Sequence, residues 1–162
     1  MYYCRDGSHT AVFGPSTALT VHRTVIHYRL ARLRYVLDRP KIELSQYGVI
    51  ADEQIKKMNN FYNHISVDKY VVMPNHIHLL ISLNFANGRS RTPVPTIINN
   101  ANSDISKFVG TFKRFTNKEY GENIWQRSFY DHIIRNENDY REIWEYIEIN
   151  PIKWTKDSFY NK

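Results

Sequence analysis

Two apolar runs separated by a Pro-Asn pair form the clearest pattern along the chain, between residues 69 and 83. Proline presets φ for a tight turn, and asparagine tolerates the conformation that follows it. The pattern therefore predicts a β-hairpin with strands near Lys69–Met73 and His76–Leu83, joined by a turn at Pro74-Asn75.

Two histidines lie two positions apart on the second strand of this hairpin. Because strand side chains alternate between faces, His76 and His78 point to one side of the sheet. The opposite face carries three apolar residues, Ile77, Leu79 and Ile81. Two imidazoles on one strand make a preformed pair of nitrogen ligands for a divalent metal. The same spacing also occurs as surface decoration, so a metal site needs support from other residues.

Helical spacing of apolar residues predicts three helices, one before the hairpin and two after it. They span about residues 53–65 with Asp52 as the cap, about 104–119, and about Asn138–Asn150, where Pro151 ends the helix. The apolar stripe of the second consists of Ile105, Phe108, Val109, Phe112 and Phe115, and that of the third of Tyr140, Ile143, Trp144 and Ile147. Helices of this kind bury one face and leave the other to solvent.

The remaining segments predict strands and loops. Residues 1–13 are interpreted as two short strands, and 17–41 as a solvated, partly ordered insertion, with a basic arm touching phosphates as the alternative. Short strands are predicted at Lys41–Leu44 and Ile124–Ile134, and a flexible loop over 84–102. Irregular alternation of strands and helices, with strands joined partly by hairpins, favours an α+β fold with an antiparallel sheet carrying helices.

Composition and charge restrict the function classes. A chain of 162 residues is long enough for one domain with a core. Lys and Arg exceed Asp and Glu by 22 to 16, which favours a polyanionic partner, although many small proteins are equally basic. The sequence contains no run of about 18 apolar residues, so no membrane helix is predicted. The first residues lack the apolar core of a signal peptide. The single cysteine, Cys4, excludes an internal disulfide and is typical of a reducing cytoplasm.

The last predicted helix carries a second candidate pair. Tyr146 and Asn150 are four residues apart and therefore stack on one side of the helix, at the flank of its apolar stripe. A phenol and a carboxamide in this place can both face a site on the sheet. Ordinary packing of a tyrosine at a helix flank is the alternative.

Four ordered blocks of residues resemble one family, the REP-associated tyrosine transposases of the single-tyrosine HUH superfamily. The blocks are Val71–Leu80, Trp125–Phe129, Ile134–Asn136, and Tyr146–Glu148 followed by Asn150-Pro151. The resemblance covers about residues 41–160. The family usually opens with a longer apolar strand than the Tyr2-Tyr3-Cys4 found here. The resemblance therefore implies a divergent segment with a shortened first strand over 1–40, ahead of a transposase-like region over 41–162, in one domain overall.

The resemblance also implies a fold and a reaction. The fold is a ferredoxin-like antiparallel sheet backed by helices. In the family, two histidines bind Mg²⁺ or Mn²⁺, a tyrosine attacks DNA, and an amide side chain completes the metal site. These roles correspond to His76 and His78, to Tyr146, and to Asn150. The implied activity is cleavage and rejoining of single-stranded DNA near hairpin-forming repeats through a 5′-phosphotyrosine.

The implied partner is single-stranded or hairpin DNA. The protein is expected in a bacterial cytoplasm at the nucleoid, without a membrane partner, as a monomer or a homodimer. Basic residues and aromatic rings suit such a strand. The candidate DNA contacts are Arg89, Arg91, Lys113, Arg114 and Arg127. Two alternatives stay open: a catalytically inactive protein that binds hairpin DNA, and a metal-dependent hydrolase in which Tyr146 is structural.

Overall fold

Antiparallel strands and three helices build the described part of the chain in this computed structural model, which covers residues 17–25, 30–36, 39–84, 94–127 and 129–156. The strands are β1 (Thr17–Val25), β2 (Ala31–Val36), β3 (Arg39–Leu44), β4 (Ile65–Val72), β5 (His76–Asn84) and β6 (Tyr130–Ile134). The helices are α1 (Gln46–Phe61), α2 (Val94–Tyr120) and α3 (Glu137–Lys153), and a 3₁₀ turn, Trp154–Lys156, follows the last.

The main sheet is four-stranded, in the order β4-β5-β1-β6, and every neighbouring pair is antiparallel. With α1 and α2 between them, its strands follow one another as βαββαβ, the ferredoxin-like arrangement. Strands β2 and β3 form a separate two-stranded ribbon. The predicted α+β class and the antiparallel sheet backed by helices are therefore confirmed.

Strand β1 corrects one prediction. It pairs with β5 on one side and with β6 on the other, so it lies inside the sheet. Thr24, Leu30 and Ala31 are buried. The interpretation of 17–41 as a solvated insertion was therefore wrong for the described residues, because basic side chains there belong to folded strands. The two short strands predicted within 1–13, and any shortening of a strand there, lie outside the described residues.

Helix α1 begins earlier than its predicted cap. The side chain of Ser45 accepts a hydrogen bond of 3.2 Å from the backbone N–H of Gly48, which makes Ser45 the N-cap. Asp52 lies within the helix, and its carboxylate accepts a bond of 2.6 Å from the Tyr70 hydroxyl. The prediction that Asp52 caps the helix was wrong, since this carboxylate bonds a side chain of β4 instead of backbone N–H groups.

Other boundaries also moved. Helix α2 starts at Val94, so the end of the predicted 84–102 loop is helical. The predicted strand over Ile124–Ile134 is confined to β6, because its first part leaves the sheet and buries Trp125 against α2. Helix α3 continues through Pro151. Because proline has no N–H, Pro151 removes one backbone hydrogen bond, but only in the last turn of α3. The helix therefore continues past Pro151 to Lys153.

The sheet separates two apolar layers. On one face, alternate residues of β5 pack with α1 and α2, and on the other Leu80 packs with α3. The apolar stripes predicted for α2 and α3 are buried, except that Phe115 and Ile143 are only partly buried. The β2–β3 ribbon contributes Leu33 and Ile42 to the α3 layer. No helix within the described residues is long and apolar enough to cross a membrane.

Candidate functional site

The two candidate histidines share the α3 face of the sheet, as the strand alternation predicted. The backbone N–H of Met73 donates to the carbonyl oxygen of His76 at 2.9 Å and closes the hairpin turn. The rings of His76 and His78 lie 4.7 Å apart, nearly perpendicular to each other. Their exposed fractions are 0% and 3%, so both are held inside the protein and neither is surface decoration.

The amide of Asn75 contacts the ring of His76. Its Oδ1 lies 2.9 Å from Nδ1 of His76. A carboxamide oxygen only accepts hydrogen bonds, so with the amide in this orientation Nδ1 is the donor, and the lone pair of a neutral ring is on Nε2. Nε2 is buried in His76 and in His78. Metal-binding histidines commonly have this arrangement, in which a hydrogen bond at one nitrogen orients the other toward the metal.

Helix α3 lies over the histidine pair along one of its sides. The ring of Tyr146 meets the ring of His78 edge-on with centroids 5.3 Å apart. Two turns later, the ring of Trp154 lies 5.7 Å from that of His76. Asn150 lies midway between these two residues on the same side of the helix, so it is positioned toward the pair.

Tyr146 and Asn150 differ in their exposure to solvent. Tyr146 is 41% exposed, so a large substrate can reach its side chain, whereas Asn150 is 2% exposed. Among the described residues, Nδ2 of Asn150 has no hydrogen-bond partner. Buried amides are normally paired, and an unpaired one costs stability. An amide in this state is suited to interact with a group that the protein itself does not provide.

The donor set of this site is two imidazole nitrogens and one amide. A half-turn of the Asn150 amide exchanges its nitrogen and oxygen, so the oxygen can serve as a ligand. No cluster of three or more His, Cys, Asp or Glu side chains that could hold a metal occurs in the part of the chain that the structure describes. By donor chemistry, two imidazole nitrogens and one amide oxygen suit a divalent cation that takes its other ligands from water and from phosphate oxygens.

A pocket of about 260 Å³ opens beside Tyr146 and His78. Arg23 on β1 lies opposite His78 on β5 and opposite Tyr130 on β6. The remaining lining residues are His132, Asp139 and Ile143. The pocket thus joins three neighbouring strands to α3 at the candidate nucleophile.

Two contacts organise the wall of this pocket. The guanidinium of Arg23 lies 5.5 Å from the centroid of the Tyr130 ring. Nε2 of His132 lies 3.0 Å and 3.1 Å from the two carboxylate oxygens of Asp139. These four residues were not among the site residues predicted from the sequence, although the alternative interpretation of 17–41 as a basic arm included Arg23. The alternation of Tyr130 and His132 along one strand was the available signal, but their partners are distant in the chain.

Three of the predicted DNA contacts meet in a different groove. Lys113, Arg114 and Arg127 line a space of about 540 Å³ between α2 and residues 123–127. The ammonium of Lys113 donates a bond of 2.8 Å to the carbonyl oxygen of Gln126. Burial lowers the pKa of Lys113.

This groove belongs to the α1–α2 layer, on the opposite side of the sheet from His78 and Tyr146. The structure therefore brings three of the predicted contacts together, at a distance from the histidine pair. Arg89 and Arg91 lie outside the described residues.

Known proteins are similar to this chain in sequence and in fold. The family model described as IS200-like transposase matches residues 41–150. A REP-associated tyrosine transposase of Escherichia coli is 29% identical over 120 residues, covering 73% of this chain and 63% of that protein. An uncharacterised protein of Haemophilus influenzae is 29% identical over 131 residues, with 74% and 73% of the two chains covered.

A solved structure of a REP-associated tyrosine transposase bound to a REP hairpin has the same fold. It superposes with a TM-score of 0.59 at 22% identity, covering 91% of this chain and 74% of that chain. The resemblance to REP-associated tyrosine transposases is confirmed. Because the family model covers well over half of its length, the chain belongs to the IS200-like transposases.

Proposed function

We propose that this chain is a metal-dependent single-stranded DNA endonuclease and strand transferase that cuts near hairpin-forming repeats through a 5′-phosphotyrosine. The observation that carries the proposal is the edge-on contact between Tyr146 and His78 beside the buried histidine pair. Membership of a transposase family points to DNA as the substrate. A structural neighbour bound to a REP hairpin supports hairpin DNA as its form.

Tyr146 is the proposed nucleophile. Its Oη attacks the scissile phosphorus and loses its proton to solvent, and the bond from phosphorus to the 3′-oxygen breaks. The departing 3′-oxygen takes up a proton and becomes a 3′-hydroxyl, while the 5′-phosphate stays on the tyrosine. The exchange of one phosphoester for another conserves bond energy, so the 3′-hydroxyl of a strand can later reverse it without ATP.

His76, His78 and Asn150 are the proposed ligands of Mg²⁺ or Mn²⁺. A cation held there would polarise the scissile phosphate and neutralise its developing charge. The three side chains contribute orientation, since two are on one strand and the third is on the helix that carries Tyr146. Asn75 fixes the His76 ring, so the ligand geometry does not have to form when DNA arrives.

The basic groove on α2 is a proposed second contact surface for the DNA. Arg114 and Arg127 are exposed, and both line it with Lys113. A strand cut at Tyr146 has to pass around the sheet to reach this groove, so the groove suits duplex or flanking DNA rather than the scissile phosphate. Its contacts are with phosphates, which position the DNA without reading its sequence.

Trapping of the covalent intermediate tests the proposal. The substrate is single-stranded hairpin DNA from the flanks of the gene, labelled at its 3′ end and incubated with Mn²⁺ before a denaturing gel. The wild type is expected to carry the label, and Tyr146→Phe or EDTA is expected to abolish it. Tyr140→Phe is the matched control and should keep the adduct, because burial raises the pKa of Tyr140 to about 12 and its ring packs in the core.

The other outcomes identify the alternatives. Hairpin binding without an adduct would indicate a binding protein that no longer cuts. Metal-dependent cutting without an adduct would indicate a hydrolase that uses water. An adduct that persists in Tyr146→Phe would remove Tyr146 from the mechanism.

A further inference from the structure

The pocket beside Tyr146 contains groups that the proposed transfer reaction does not use. Arg23, Tyr130 and the His132–Asp139 pair line it together with His78 and Tyr146. Its volume of about 260 Å³ is slightly below the ~300–1,000 Å³ of clefts that hold drug-sized ligands. The pocket is therefore suited to a small ligand or to a small part of a larger one.

Arg23 provides the pocket with a phosphate-binding group. Because it lies directly opposite His78 in the strand register, its side chain emerges next to the proposed metal ligand. A guanidinium binds phosphate oxygens through paired hydrogen bonds. Among the described residues that line the pocket, Asp139 has the one carboxylate, and it lies 3.0 Å from His132. The negative charge is therefore at the His132 side of the pocket, and a phosphate is favoured at the Arg23 side.

Tyr130 provides a surface for a base. Tyr130 is a large aromatic residue, yet it is 60% exposed. It lies on β6, at the edge of the sheet. Aromatic rings of this kind stack with unpaired bases, and such stacking tolerates any base. Arg23 contacts the same ring, which places a phosphate site and a stacking site next to each other.

We propose that this pocket binds the unpaired nucleotide adjoining the scissile phosphate, with its base on Tyr130 and its phosphodiester at Arg23. The inference rests on the proposed function for the location of the scissile phosphate. It assigns the pocket a ligand class, an unpaired nucleotide of single-stranded DNA. A base within a duplex is already paired and stacked, so it is not available to stack on Tyr130.

Abasic substitution tests the stacking site on substrates that the wild type cuts. In 3′-labelled hairpin DNA, one base at a time is removed around the mapped cut. At one adjoining position, loss of the base should reduce wild-type adduct formation about 5- to 150-fold, the range for one base–aromatic stack. Tyr130→Ala should show the same loss with intact DNA and no further loss at that position, whereas Tyr130→Phe should behave as wild type.

The controls separate stacking from general damage. Since Tyr130 is exposed, its replacement leaves no cavity. Phe61→Ala removes an equally exposed ring from α1, in the other layer, and should match the wild type at every position. Arg23→Gln should weaken binding of intact DNA and be insensitive to a neutral methylphosphonate at the same nucleotide. Equal sensitivity of wild type and Tyr130→Ala to every abasic position would overturn the inference.

A binding measurement keeps the inference testable if no adduct forms. The probe is a short oligothymidylate with one 2-aminopurine, titrated in EDTA so that no cutting contributes. Quenching of the probe by the wild type, by Tyr130→Phe and by Phe61→Ala, but not by Tyr130→Ala, supports the pocket even if the transfer reaction fails. Equal quenching by wild type and Tyr130→Ala refutes the pocket, whatever the outcome of the adduct assay.

Discussion

Lys69 on β4 donates a hydrogen bond of 2.8 Å from its ammonium group to the carboxylate of Glu148 on α3. The same ammonium lies 4.2 Å from the centroid of the Trp144 ring. The Lys69 side chain is 5% exposed, whereas that of Glu148 is 58% exposed. Trp144 and Glu148 lie on either side of Tyr146 along the helix. One buried lysine therefore anchors the helical turn that carries the proposed nucleophile.

This asymmetry predicts that loss of the exposed partner costs more stability than loss of the buried one. Glu148→Ala leaves a buried ammonium without its carboxylate and should lower the free energy of unfolding by about 3 kcal/mol. Lys69→Met keeps the apolar stem, and the Glu148 side chain is already 58% exposed to water, so this change should alter that free energy by less than about 1 kcal/mol. Chemical denaturation measures both, and the reverse order would contradict the role of Lys69.

The backbone of Leu30 lies close to Gly48, which predicts that alanine at Gly48 and alanine at Gly110 have opposite effects on stability. An added Cβ at Gly48 would lie 2.1 Å from the carbonyl oxygen of Leu30, and nothing lies within 4 Å of one at Gly110. Gly48→Ala must shift the backbone and should destabilise by about 1–3 kcal/mol or more. Gly110→Ala should stabilise α2 by about 0.5–1 kcal/mol.

Thermal unfolding of the two glycine variants measures the difference. Since Leu30 also donates its N–H to the carbonyl oxygen of Pro74 at 2.7 Å, the Gly48 contact supports the turn before His76. Gly48→Ala should therefore also weaken metal binding, and Gly110→Ala should not. Equal unfolding temperatures would show that the chain accommodates the methyl group without a shift.

Short-range patterns predicted the parts of the site that lie close together in the chain. The turn residues Pro74 and Asn75 predicted the hairpin, and the two-residue spacing placed His76 and His78 on one face. Four-residue spacing placed Tyr146 and Asn150 on one side of a helix. Each of these relations depends on local backbone geometry alone, so the spacing of the residues in the sequence is enough to predict it.

Pairing over long distances in the chain was not predictable from the same patterns. Arg23 reaches the pocket because β1 inserts between β5 and β6, which come more than fifty residues later along the chain. For the same reason, residues 17–41 were interpreted as a solvated, partly ordered insertion. Residue type made Asp52 an acceptable cap, but Ser45 caps α1 and the Asp52 carboxylate accepts from the Tyr70 hydroxyl, a partner from another element that local patterns do not reveal.

The basic groove predicts a salt-dependent affinity for DNA. About four phosphate contacts to single-stranded DNA should give a slope near −3 for log K against log salt, because each contact releases counterions. Arg114→Gln and Arg127→Gln should each reduce the magnitude of that slope by about 0.7. Lys57→Gln, an exposed cation on α1 that does not line the groove, should leave the slope unchanged. Fluorescence anisotropy over a salt series measures it, and a flat dependence for the wild type would exclude phosphate contacts.

Asn150 predicts a variant that separates metal binding from folding. Asn150→Ala removes a buried amide whose nitrogen is unpaired among the described residues, so the loss of stability without metal should be below about 1 kcal/mol. Stabilisation by Mn²⁺ should be reduced but not abolished, since water can replace one neutral oxygen ligand. Unfolding curves with and without Mn²⁺ test this. Unchanged stabilisation by Mn²⁺ together with weaker DNA binding would make Asn150 a DNA contact.

The histidine pair predicts that the metal stabilises the protein even without DNA. At about a hundredfold excess over its Kd, Mn²⁺ should raise the free energy of unfolding by about 2.7 kcal/mol. Mg²⁺ should do less at the same concentration, because imidazole nitrogen suits transition metals better than Mg²⁺. In His76→Ala and His78→Ala the increment should vanish, and measuring each variant against its own metal-free form removes the cost of the lost ring. His64→Ala is the control and should retain the full increment. His64 lies 3.6 Å from Asp104 on α2, on the opposite side of the sheet from the histidine pair. An increment in His78→Ala equal to that of the wild type would place the metal elsewhere.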